Sequence, residues 1–119
     1  GILLYELLIG ISPFRIGNAK MSQEAYEQKV LNKSVSFPDR EKYKIKYTDE
    51  LKDLILGLLN KDPTKRLGAK NDHLEIKEHP VFKSVVWDDI INRKVEATIK
   101  PIIKEDLTKK LYFGEQMQP

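Results

Sequence analysis

Glu6 is the side chain most at odds with its neighbours. It stands in the run Gly1-Ile-Leu-Leu-Tyr-Glu-Leu-Leu-Ile-Gly10, in which Ile2, Leu3, Leu4, Leu7, Leu8 and Ile9 leave almost no polar face at 3.6 residues per turn. A carboxylate in such surroundings is costly to desolvate without a basic partner. Bonding to local backbone or to another part of the same domain is the other way to satisfy it. His73 and His79, with Asp72, Glu75 and Glu78 nearby, invite a metal reading. The spacing opposes it, because His73 and Glu78 lie too far apart on a helix to chelate together and no further histidine exists. His79 before Pro80 reads instead as a capping and packing residue, and Trp87 with Ile90 and Ile91 as core. No catalytic set and no metal site are assigned.

The elements that must position these residues are nearly all helices. The opening run is too short to span a membrane and carries Glu6 inside it. It reads as a buried helix closed by Gly10 in a left-handed cap, with Pro13 barring its continuation. It has no N-cap, and Gly1 begins in mid-pattern, as though the helix were cut from a larger domain. Residues 11–21 form a connector rich in turn residues. Ser22 caps a surface helix to about Asn32, with Glu24 in its first turn and Tyr26 and Val30 on one face. A brief extended link at Val35, Phe37 and Pro38 leads to a charged loop over 39–47, tied in by Tyr43, Ile45 and Tyr47.

The strongest periodicity follows. Thr48 caps, Asp49 and Glu50 fill the first turn, and Leu51, Leu54, Ile55, Leu58 and Leu59 fall at i, i+3, i+4, i+7 and i+8. Each buried leucine contributes roughly 1.5–3 kcal/mol, so the stripe needs a partner, and the first helix is the evident one. Asn60 ends this helix. Asp62-Pro63 starts a turn that Gly68 stops. Short helices follow at 72–78 and around Trp87 to Lys94, and beyond Lys94 the pattern becomes an extended tail.

The chain has 119 residues, 40% hydrophobic and 33% charged, as expected of one globular domain. Its 21 basic and 18 acidic side chains are interspersed, for a net charge of +3, which argues against a nucleic-acid stripe. The absence of cysteine excludes disulfides and any cysteine-based metal site or nucleophile and is compatible with a reducing compartment; the expected setting is intracellular and cytoplasmic.

Four stretches in order resemble one family. The run from Gly1 to Phe14 resembles the buried F helix of protein kinases and its G-x-x-P-F turn. Leu58-Leu-Asn-Lys-Asp-Pro-Thr-Lys-Arg-Leu-Gly68 is similar to the L-L-x-x-D-P-x-x-R-L-G stretch between helices H and I. Ile76-Lys-Glu-His-Pro-Val-Phe82 fits the I-x-x-H-x-x-F that closes the kinase fold. Trp87 to Ala97, with Pro101 behind it, is similar to the start of the C-terminal extension of the AGC serine/threonine kinases.

The resemblance implies a mainly α fold: the C-terminal helical subdomain of a kinase large lobe, helices F to I and a short extra helix, over 1–82, then a partial AGC extension over 83–119. It implies a parent that moves the ATP γ-phosphate to Ser or Thr of protein substrates in basic contexts, with ATP and magnesium as cofactors. The glycine-rich loop, H-R-D, D-F-G and A-P-E motifs that this chemistry needs do not occur here, so the fragment alone would be inactive. The expected partners are the rest of the kinase domain and protein substrates with basic residues near the phosphorylation site, with no nucleic acid and no membrane span. The family glutamate matching Glu6 binds an arginine of the substrate. The arginine matching Arg66 pairs with the glutamate of A-P-E, a task suited to its planar fork; otherwise Arg66 is a surface residue near a helix end. Phe113 of Tyr112-Phe113 resembles the tail phenylalanine that packs near adenine, although Gly114 replaces the usual acid; the alternative is an untethered apolar tail. Two other readings of the whole are a stand-alone helical interaction module and a pseudokinase fragment.

Overall fold

The computed structural model of the chain describes residues 1–15 and 20–101. Among these residues there are helices and no strands: α1 (Ile2–Ile9), α2 (Gln23–Asn32), α3 (Arg40–Tyr43), α4 (Asp49–Leu58), α5 (His73–Lys77), a 3-10 turn (Pro80–Phe82) and α6 (Trp87–Ile91). Residues 1–85 form one compact unit, and a second begins at Val86.

The first unit is built on α4. The Thr48 hydroxyl accepts the Leu51 N–H at 3.2 Å, and Asp49 and Glu50 in the first turn complement the helix dipole. Leu54 and Ile55 are buried, while Leu51 and Leu58 are half-buried. The stripe meets α1 and the 3-10 turn. At the start of α1 the approach is so close that a Cβ on Gly1 would lie 2.8 Å from the Leu59 side chain. At its end Gly10 takes the left-handed conformation, φ 93°, and its N–H bonds the Glu6 carbonyl.

Tyr5 does more than the opening run suggests. It is the wholly buried residue of α1, and its hydroxyl donates to the Ser36 carbonyl at 2.7 Å. Its ring meets Phe37 edge-on at 5.1 Å, and Phe37 in turn lies 5.5 Å from Tyr47. The Tyr47 hydroxyl donates to the Pro38 carbonyl at 3.2 Å. Three aromatic rings therefore carry the 35–38 link against the two main helices.

Several expectations are corrected. Burial of α1 nearly all round is not what is seen: Leu3 is 67% and Leu7 75% exposed. One packed helix covers one stripe of its neighbour, and among the described residues nothing lies over the opposite side of α1. The charged loop at 39–47 contains the helix α3, because the Asp39 carboxylate accepts both the Glu41 and Lys42 N–H groups at 2.9 Å. Tyr43 is exposed, whereas Tyr47 packs against Phe37. Trp87 is half-buried and Ile90 and Ile91 are exposed, so no core forms around them among the described residues. The helix there ends at Ile91, short of Lys94. The surface placement of α2 holds: it has no buried residue, and the Ser22 hydroxyl accepts the Ala25 N–H.

Burial, with Tyr47 nearby, pushes the Tyr5 phenol above its ordinary value. The folded state then favours the neutral phenol. That contribution is complete below the unfolded pKa of about 10 and is lost as pH rises through the higher folded value. Tyr5→Phe should cost about 0.5–1.5 kcal/mol at neutral pH in urea denaturation and weaken the alkaline loss of stability. An unchanged neutral-pH midpoint would show the Ser36 bond to be idle.

Candidate functional site

Arg66 is positioned by the loop that follows α4. The Asp62 carboxylate accepts the Thr64 N–H at 2.9 Å and the Thr64 hydroxyl at 2.6 Å, fixing the turn. The Leu67 N–H returns to the Gly57 carbonyl at 2.9 Å, and Gly68 reverses the chain at φ 93°. The Glu75 carboxylate then takes the Gly68 and Lys70 N–H groups, at 3.1 and 3.3 Å. Held this way, Arg66 donates from Nε to the Asn60 carbonyl at 3.0 Å. The rest of its guanidinium is exposed and makes no further hydrogen bond among the described residues.

Arg66 lines an open groove of about 430 Å³. Ile2, Leu3, Phe14 and Leu31 supply apolar wall and Leu58 and Leu59 the end of α4, with Lys61 as the second cation. The Lys61 ammonium is held below its ordinary pKa by burial first and by Arg66 second. Lys61 was not foreseen as a site residue. Its partners are Phe14, whose ring centroid lies 4.4 Å away, and the Val30 carbonyl, both more than thirty positions distant in sequence.

Glu6 does not line this groove, so the two expected site residues are not brought together. Its carboxylate is exposed at mid-helix and makes no hydrogen bond or ion pair among the described residues. His79 is a capping residue as read: Nδ1 accepts the Val81 N–H at 3.1 Å, which leaves Nε2 to donate to Asp53 at 2.8 Å. His73 faces Asp72 at 3.6 Å on the surface. Among the described residues no three His, Asp or Glu side chains converge on one point. Phe113 lies outside the described residues.

No family model matches the chain. Over 101 residues, 85% of its length, it is 42% identical to the serine/threonine-protein kinase Sgk1 of Xenopus tropicalis and covers 22% of that protein. The Homo sapiens Sgk1 is also 42% identical over 101 residues, with 21% covered, and the Rattus norvegicus protein 41% identical. The chain belongs with the AGC serine/threonine protein kinases. It spans about a fifth of the length of the curated kinases it matches. The all-helical architecture of its described residues agrees with the helical part of a kinase large lobe.

In this kinase segment Asp62 offers a direct test of the turn that carries Arg66. The Thr64 hydroxyl, the Thr64 N–H, the Lys65 N–H and Arg66 hold its carboxyl below the ordinary value, in that order. The contribution is present above the unfolded carboxylate pKa of about 3.9 and disappears as pH falls through the lower folded value. In Thr64→Ala, NMR titration should show the Asp62 pKa moving up toward the ordinary range. An unmoved pKa would remove the hydroxyl from the account of this turn.

Proposed function

We propose that the chain is the helical end of a kinase large lobe, with a partial AGC extension over 83–119. The whole protein would transfer the ATP γ-phosphate to Ser or Thr of protein substrates in basic sequence contexts. The identity to Sgk1 over 85% of the chain supports this reading. A cytoplasmic setting and basic protein partners go with it. Such a protein would use ATP and magnesium, and the motifs that hold them in the family do not occur in this sequence. No step of phosphoryl transfer is therefore assigned to this chain.

Glu6 is proposed to bind substrate, and its unpaired, exposed carboxylate is the single observation that carries the assignment. A helix-borne carboxylate with no internal partner can take an arginine through two parallel hydrogen bonds, desolvating little of its own helix. Arg66 is proposed to brace the kinase's activation segment by donating to that segment's glutamate, and its exposed guanidinium at an apolar groove suits such a partner. Phe113 is proposed as the tail residue that reaches the adenine site.

In the full-length kinase, Glu6→Gln should raise KM for a peptide with arginine upstream of the phosphorylated residue by about tenfold. KM for the same peptide with that arginine replaced by alanine should stay unchanged. Equal effects on both peptides would overturn the assignment of Glu6.

A further inference from the structure

We propose that Lys61 is a positioning residue that sets the width of the groove lined by Arg66, by pinning α2 and the Phe14 turn to the end of α4. The inference rests on the reading of Arg66 only for what the groove holds. Two walls of the groove come from separate pieces of chain. Val30 and Leu31 belong to the last turn of α2, and Phe14 belongs to the turn after α1. Lys61, three residues past α4, touches both. Its ammonium donates to the Val30 carbonyl and lies 4.4 Å from the centroid of the Phe14 ring.

The chemistry explains why a cation stands here. Val30 contributes one of the last carbonyls of α2, which have no helical partner and carry the negative end of the dipole. The Phe14 ring, 1% exposed, presents a negative face. An ammonium satisfies both at once, whereas an aliphatic side chain of equal length satisfies neither. Among the described residues little else holds α2. It buries no residue, and the other ring contact binding it to the preceding turn is Arg15 over Tyr26, at 5.0 Å. A helix without buried apolar anchors depends heavily on its few polar ties. Partial desolvation of the ammonium, visible in its lowered pKa, accords with a cation held between two surfaces.

Hydrogen–deuterium exchange on the full-length kinase tests this. In Lys61→Met, amides of residues 23–32 should exchange about tenfold faster, the loss expected for one cation–π contact and one hydrogen bond. Amides of 49–58 should keep their protection, and Lys61→Arg should return α2 to wild-type exchange. Lys61→Gln, which keeps a donor but no charge, serves if Lys61→Met does not fold, and it should also speed exchange in α2. Wild-type exchange in the uncharged variant, or Lys61→Arg exchanging as fast as it, overturns the proposal. Arg66→Ala separates the two claims. If it leaves the stability of the kinase unchanged while the uncharged Lys61 variant loosens α2, the reading of Arg66 fails and that of Lys61 stands.

Discussion

The contact of α1 with α4 sets the terms for everything else in residues 1–85. An apolar helix of eight residues has almost no independent stability, since its nucleation cost outweighs so few hydrogen bonds. Tyr5 supplies what the helix itself lacks. Its ring fills the space between α1, the 35–38 link and Tyr47, and its hydroxyl satisfies the Ser36 carbonyl, which strand pairing would otherwise have to do. Phenylalanine would fill the same volume and leave that carbonyl to water.

The same contact explains why the opposite face of α1 is bare. Leu3, Leu4, Leu7 and Ile11 are exposed together, and contiguous apolar surface of this kind marks a place where something packs. The matched stretch is about a fifth of the relatives' length, which leaves ample chain in a whole kinase to cover that face. Glu6 differs from these leucines in chemistry and not in position on the helix: it is the group on α1 that gains from meeting water or a cation. The groove near Arg66 combines both characters, with apolar walls and two cations at its edge.

Helices with caps and periodic apolar positions were legible in the sequence. Ser22, Thr48 and Gly10 act as read, and the spacing of Leu51 to Leu58 marks the side of α4 that packs. The helix at Arg40 was missed because four charged or polar residues carry no apolar period; its signal is Asp39, a good N-cap. How much of α1 this chain itself covers was not legible. Composition shows that a helix seeks cover on every side, but not which stretch of chain provides it. Tyr5 and Lys61 were overlooked on similar grounds, since Ser36, Val30 and Phe14 come to them only through the fold. The motif Leu58 to Gly68 indicated a turn held around Arg66, and the bonds of Asp62, Thr64 and Glu75 show how that turn is made.

On this reading α1 is an internal strut of a kinase lobe, packed by α4 on the Tyr5 side and by the rest of the kinase on the Leu3 and Leu7 side. Thiol labelling of Leu3→Cys and Leu7→Cys in the folded full-length kinase, with exposed Ser34→Cys as the reference and peptides read by mass spectrometry, tests it most directly. Positions 3 and 7 should be protected until the protein is denatured, while position 34 reacts at once. Labelling of positions 3 and 7 in the folded kinase as fast as position 34 would contradict it.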